Sequence, residues 1–145
     1  MRKALFAGSF DPFTIGHKSI VDRALSLFDE VIVAFGVNVN KKPFMPLEER
    51  MARVREAYKD NERVKVVCYE GLTVDFAREM GVCCLVRGVR NAMDYEYERT
   101  IAEVNQRLSG VETVLLIADA EKGHVSSSLV REFAQFGKEI DDLMV

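Results

Sequence analysis

Ten residues, GSFDPFTIGH (8–17), concentrate the turn-formers and one of only two histidines straight after an apolar run. Gly8 lets backbone approach a ligand closely. Ser9 offers a hydroxyl and an N–H to an anion, and Asp11-Pro12 turns the chain. Thr14-x-Gly16-His17 then opens a helix, whose N-terminus favours negative charge. Gly16 is read as leaving room for a flat group or a phosphate, and His17 as a donor to a phosphoryl oxygen. Further along, Arg87 and Arg90 in RGVRN fit phosphate oxygens bidentately. Lys41 and Lys42 in NVNKKP add charge, and Ser126, Ser127 and Ser128 crowd a helix start where N–H groups and hydroxyls suit a polyphosphate. Glu98, one turn into a helix that opens DYEYE, is placed to accept from a base amino group or a ribose hydroxyl, whereas Asp94 and Glu96 read as ordinary helix-start acids.

These residues need a frame. Five short Val/Ile/Leu-rich runs stand at 3–8, 30–37, 64–69, 82–88 and 113–119. They are nearly continuous rather than alternating, as strands buried on both faces are. Segments with helical spacing lie between them. HKSIVDRALSLF aligns Ile20, Ala24 and Leu27. LEERMARVREAY follows Pro46 with Glu48 and Glu49 in its first turn. TVDFAREM precedes Gly81. DYEYERTIAEVNQRL aligns Tyr97, Ile101, Val104 and Leu108, and SSSLVREFAQF aligns Leu129, Phe133 and Phe136 behind a serine cap. Strand and helix alternate five times. This predicts one α/β domain over 1–145, a Rossmann-like five-stranded parallel sheet with helices on both faces. Ligands of such sheets bind beyond the carboxyl ends of the strands. The five loops at those ends are the ones that carry the residues named above.

The bulk properties exclude several classes. With 48% hydrophobic and 30% charged residues the chain is ordinary globular material, neither disordered nor membrane-embedded. A net charge of −3 gives no global field to recruit nucleic acid, so any anionic ligand is held by local groups. Cys68, Cys83 and Cys84 are expected to be small buried hydrophobes, with no zinc spacing among them. They, and an N-terminal apolar stretch that stops at Asp11, imply a cytoplasmic protein with no membrane partner. There is no P-loop and no GxGxxG, and a serine hydrolase would need a GxSxG elbow that is absent.

The string GSFDPFTIGH resembles the (H/T)xGH signature of the nucleotidyltransferase superfamily. Together with KKP…LEER, RGVRNAMDYEYE and SSSLVRE in this order, it closely resembles the bacterial phosphopantetheine adenylyltransferases, from residue 3 to about residue 137. Nicotinate mononucleotide adenylyltransferases share the start but lack the RGVRNAMDYEYE segment.

The resemblance implies adenylyl transfer from ATP to 4'-phosphopantetheine with Mg2+ carried mainly by the ATP phosphates, and no protein metal site. By matching positions, Ser9, Lys41, Thr73, Arg87 and Asn105 would meet phosphopantetheine. His17 would stabilise the transition state, with Lys41 and Arg90 assisting. Ser9, Phe10, Gly88, Val89, Arg90, Glu98, Lys122, Gly123, His124, Val125 and the three serines would hold ATP. The wall near GLTVDF, with apolar Leu72 and Val74 beside Thr73, suits a pantetheine arm. The family implies a homohexamer and CoA as a feedback ligand. Ser9 stands where threonine is usual, which keeps the hydroxyl. The chain ends at EIDDLMV, without the family's usual proline-containing final helix. Two other readings remain at this point: another small adenylyl- or cytidylyltransferase, and a non-catalytic nucleotide or CoA sensor, against which His17 and Lys41 argue.

Overall fold

In the computed structural model, which describes residues 1–145, the apolar runs become five parallel strands. They are β1 (Lys3–Gly8), β2 (Glu30–Gly36), β3 (Val64–Tyr69), β4 (Cys84–Val89) and β5 (Glu112–Ile117). The order across the sheet is β3-β2-β1-β4-β5. The helices between and after them are α1 (Ile15–Ala24), α2 (Leu47–Ala57), α3 (Thr73–Glu79), α4 (Ala92–Ser109) and α5 (Ser127–Gln135). Because β4 crosses to the far side of β1, the connections reverse there, and a ligand crevice forms at such a switch point.

The register shows how that crevice opens. β1 pairs with β2 at all six of its residues, from Lys3↔Glu30 to Gly8↔Phe35. Against β4 it pairs only at Ala4↔Cys84 and Leu5↔Leu85. Beyond Leu5 the two central strands lose their mutual ladder, so their carboxyl ends are free to flank a cleft.

The absence of alternation is explained by burial on both faces. Ala4, Phe6, Val31, Val33 and Phe35 pack on one face with Ile20, Val21 and Ala24 of α1 and Met51 and Val54 of α2. Leu5, Ala7, Ile32 and Ala34 pack on the other with Val74 and Ala77 of α3. Burying these side chains stabilises the fold by roughly 1.5–3 kcal/mol each for the larger ones. Thr14, Asn91 and Ser126 cap α1, α4 and α5 through their side chains.

Several expectations are corrected. The fourth strand starts two residues later than the apolar run and extends to Val89, so Arg87 sits inside it and only Arg90 follows it. Only Cys84 is buried; Cys68 and Cys83 are exposed. Cys68 lies on edge strand β3, which is covered less completely, and Cys83 precedes β4 in the turn. Burial, then its neighbour Cys83, pushes the Cys84 thiol up to about 12, so it is inert at neutral pH. The apolar stripe of α4 exists, but no other part of this chain covers it: Tyr97, Ile101, Val104 and Leu108 are all exposed. Phe133 of α5 and Phe136, which caps its C-terminus, are exposed too, and Val130 is the residue buried in that helix. The C-terminus folds back over the start of α1. Met144 bridges Thr14, and the Val145 N–H donates to the Phe13 carbonyl at 3.1 Å.

Asp11 anchors the loop after β2. Its carboxylate accepts from the backbone N–H groups of Phe44 (2.8 Å) and Met45 (2.9 Å). Buried Arg50 lies 3.8 Å away and also donates to the carbonyls of Met45 and Ser9. Asp11→Ala should destabilise the fold by about 3 kcal/mol, since it strands two N–H groups and a buried cation. Urea unfolding measures this, and a loss below about 1 kcal/mol would contradict it.

Candidate active site

The turn after β1 is built around a ring cluster. Phe10 adopts φ 47, unusual for a residue with a side chain. Its ring packs against Phe6, Phe13, Phe35 and His17 at centroid distances of 5.0, 5.1, 5.3 and 4.9 Å. A Cβ on Gly8 would meet that ring at 3.0 Å. Gly8 therefore serves this packing. Gly16 is constrained in a similar way: a Cβ there would lie 3.0 Å from the carbonyl oxygens of Lys122 and Val125. The glycine admits the β5–α5 loop against α1 and also lines the ligand cleft.

His17 is fixed by a reciprocal cap. Its backbone N–H donates to Thr14 Oγ1 (3.3 Å), and the Thr14 N–H donates to His17 Nδ1 (2.9 Å). A backbone N–H is always a donor, so Nδ1 is the acceptor and the ring proton is on Nε2. Burial, then the charges of Arg87 and Arg90, lowers the His17 pKa from 6.5 to about 3. The site thus contains a neutral imidazole with a single N–H to give.

Arg87 spans the gap between the parted strands. Its Nη1 donates to the Ala7 carbonyl at 2.7 Å. Its Nε and Nη2 donate to the two carboxylate oxygens of Glu98 at 2.9 and 2.8 Å. Burial works against the arginine charge, but the Glu98 bonds prevail and hold its pKa above the usual value. Arg90, at the end of β4, donates through Nε to Asp94 at 3.1 Å. At the start of α5, the Ser126 hydroxyl accepts from the Leu129 N–H, the Ser127 hydroxyl donates to the Pro12 carbonyl, and the Ser128 hydroxyl accepts from Arg131 at 3.2 Å.

These elements enclose a cleft of about 330 Å³ at the carboxyl end of the sheet. Of the residues the sequence singles out, it gathers Gly8, Ser9, Phe10, Gly16, His17, Arg87, Gly88, Arg90, Asp94, Glu98, Gly123, Val125 and all three serines. Ser9 also lines an adjoining recess of about 220 Å³ that holds Lys41, Lys42 and Arg131. His124 lines a third recess, shared with Arg90 and Gly123.

Four residues stand outside these three spaces. Val89 is buried in β4, and Lys122 contributes its carbonyl to the Gly16 contact. Asn105 lies far along α4, and the Thr73 hydroxyl is paired with that of Tyr69 at 2.7 Å. Val74 turns into the core, so it is not part of a ligand wall, while Leu72 is exposed.

Sequence reasoning missed Arg50 and Arg131. Arg131 donates to the Asp11 carbonyl at 2.6 Å as well as to Ser128, tying the two loops of the cleft together. Arg50 carried a signal: it shares the inward helical face of Leu47, Met51 and Val54, and a cation on an apolar face is a cation with a job.

The family model of cytidylyltransferase-like proteins matches residues 5–133. The phosphopantetheine adenylyltransferase of Bacteroides thetaiotaomicron is 49% identical over 144 residues, 99% of this chain and 95% of its own length. That of Porphyromonas gingivalis is 49% identical over 141 residues, covering 97% and 92%. Among solved structures, a bifunctional NMN adenylyltransferase/ADP ribose pyrophosphatase from Francisella tularensis has the same fold over 99% of this chain and 44% of its own, with a TM-score of 0.72 at 14% identity. A structure from Vibrio parahaemolyticus aligns over 100% and 94%, with a TM-score of 0.66 at 18% identity.

Proposed function

The chain belongs to the cytidylyltransferase-like family and, within it, to the phosphopantetheine adenylyltransferases, and from that premise we propose how its cleft moves the adenylyl group of ATP onto 4'-phosphopantetheine, giving dephospho-CoA and pyrophosphate. The observation that carries the reading is the neutral His17 donor, set near Arg87 and Arg90 where the central strands part. The acceptor phosphate is anionic at neutral pH, so the reaction needs no general base. The work is to bring two anions together and to stabilise charge on the α-phosphoryl group.

In this account His17 Nε2–H donates to an α-phosphoryl oxygen. Lys41 and Arg87 hold the acceptor phosphate. Arg90 and the free N–H groups at the start of α5 hold the departing pyrophosphate, with Gly88, Val125 and the segment 122–124 around the nucleotide. Thr73 and Asn105 belong with the pantetheine arm. An acceptor oxygen bonds to the α-phosphorus as the bond to the β-phosphate bridge breaks, with no covalent enzyme intermediate. No group of three or more His, Cys, Asp or Glu side chains gathers in the structure, and the cleft carboxylates Asp94 and Glu98 are each bound by an arginine. In this reading magnesium would be held mainly by the ATP phosphates, where it would neutralise charge on the leaving group.

We also propose that the chain works as a homohexamer in the cytoplasm and takes CoA as a feedback ligand. The exposed apolar stripe of α4 supports self-association, and three free cysteines suit a reducing compartment. No helix is long and apolar enough to cross a membrane.

The test is an initial-rate comparison of acceptors and donors. A site that hydrogen-bonds particular groups rejects analogues lacking them. We expect kcat/KM to favour 4'-phosphopantetheine over nicotinate mononucleotide and glycerol phosphate, and ATP over CTP. Equal or better turnover of nicotinate mononucleotide would overturn the acceptor assignment.

A further inference from the structure

We infer that the C-terminal strap Met144–Val145 positions His17, acting through the peptide bond between Phe13 and Thr14; this rests on the proposed role of His17 at the α-phosphoryl group.

Two hydrogen bonds meet on that one peptide. Its N–H belongs to Thr14 and donates to His17 Nδ1 at 2.9 Å. Its carbonyl belongs to Phe13 and accepts from the Val145 N–H at 3.1 Å. The bond is trans, and a trans peptide is planar, so the carbonyl and the N–H point in opposite directions. Whatever fixes the carbonyl therefore aims the N–H. A carbonyl that accepts a hydrogen bond also polarises its own amide, which strengthens the N–H as a donor. The two bonds in series thus end on the imidazole, where they hold Nδ1 as the acceptor and keep the ring proton on Nε2.

The neighbouring carbonyls of this turn are held from elsewhere. That of Asp11 accepts from Arg131 (2.6 Å), that of Pro12 from the Ser127 hydroxyl (2.7 Å), and that of Thr14 from the Lys18 N–H (3.0 Å). The Phe13 carbonyl is the one given to the tail.

The strap is itself anchored. A short 3-10 turn, Asp141–Leu143, precedes it, and Met144 pairs antiparallel with Thr14. The Val145 side chain packs half-buried on the cluster that contains Phe10 and Phe13, and Arg53 of α2 donates to the Val145 oxygen at 3.5 Å. Neither Met144 nor Val145 lines the cleft or the two recesses beside it. Any effect of the strap on turnover must therefore pass through the turn and not through contact with a substrate. The packing of Val145 supports the Phe13 ring, which lies 5.3 Å from the imidazole, but only the Val145 N–H sets the direction of the Thr14 N–H. Two substitutions separate these contributions.

The experiment compares Val145→Pro and Val145→Ala with wild type. Proline removes the N–H, and Met144 already has the extended backbone (φ −110, ψ 162) that a following proline requires. Alanine keeps the N–H and removes packing. Steady-state constants for both substrates, thermal unfolding and the ring-nitrogen NMR shifts of His17, one of only two histidines, are measured. Val145→Pro should lower kcat by about three- to tenfold, the worth of one neutral hydrogen bond, with both KM values within about twofold of wild type. Its His17 ring nitrogens should move from the Nε2–H pattern of wild type towards a mixture of tautomers. Val145→Ala should keep the wild-type ring pattern and a kcat within about twofold, even where it unfolds at a lower temperature. Should the proline variant fail to fold, a chain lacking Met144 and Val145 answers the same question by the same kcat and ring-nitrogen criteria. The inference is overturned by a proline variant whose kcat stays within about twofold of wild type, whatever its thermal stability, or whose defect falls on KM. A fall in kcat with unmoved His17 shifts overturns it as well, as does an alanine variant that loses as much as the proline variant. If His17→Ala itself turns over normally, the underlying reading is what fails, and the ring-nitrogen shifts still decide whether the strap orients the imidazole.

Discussion

Replacing His17 with alanine should lower kcat by about 10²- to 10³-fold, the loss expected for one oriented transition-state donor. ATP affinity should change little, because the single N–H that His17 offers is matched to charge that develops only as the α-phosphorus is attacked. The fold should persist. The variant strands the Thr14 N–H, which now donates to Nδ1, so a stability loss of about 1–2 kcal/mol is expected alongside the kinetic effect. Circular dichroism and calorimetry separate the two. A variant with near-normal kcat would end this role for His17.

The same residue fixes a pH signature. With its pKa lowered to about 3, His17 is neutral across the working range. The kcat profile should therefore show no imidazole step between about pH 5 and 8, whereas an imidazolium donor would lose activity as pH rises through about 6.5. Stability behaves accordingly. A group whose folded pKa lies below its unfolded value of 6.5 contributes its full stabilisation above that pH, and the contribution fades as pH falls from 6.5 towards 3. The unfolded chain takes up the proton there and the folded chain does not.

Lys41→Ala and Arg87→Ala should each impair use of phosphopantetheine more than binding of ATP, by about 10- to 100-fold in kcat/KM per lost charged contact. The two differ in their effect on the fold. The Lys41 side chain is exposed and makes no hydrogen bond or ion pair, only the backbone N–H donating to the Asn38 carbonyl, so truncation to alanine should leave thermal unfolding unchanged. Arg87 neutralises buried Glu98, so Arg87→Ala should also lose about 3–5 kcal/mol of stability, the penalty of an uncompensated buried charge. Arg87→Lys should keep more stability but not the fork, since an ammonium cannot pair bidentately. Calorimetry that finds phosphopantetheine affinity intact and ATP affinity lost, in both alanine variants, would reverse the assignment.

What could be read in the sequence follows from what is local. Continuous apolar runs separated by helical spacing are properties of neighbouring residues, and the five strands, five helices and parallel arrangement all appear, with element ends such as that of β4 shifted by one or two residues. The start of the site was legible for the same reason: Thr14 and His17 cap one helix turn, and Ser126 caps another. The reading failed where a residue's role depends on a distant strand or loop. Gly16 was legible as space beside a ligand, but nothing near it in sequence reveals that Lys122 and Val125 also press on it. Arg87 looked like a free cation after a strand, because its bonds to Ala7 and Glu98 depend on how β1, β4 and α4 are placed. The stripe of α4 had the right period for a core face, yet periodicity says only that a face exists and not what covers it.

Adenylyl transfer to 4'-phosphopantetheine is tested by product analysis. Purified protein is mixed with ATP, Mg2+ and 4'-phosphopantetheine, and every product is identified by mass and counted. One dephospho-CoA should form for each pyrophosphate, and neither product should form when phosphopantetheine is left out. Pyrophosphate or ADP accumulating without dephospho-CoA would contradict that transfer.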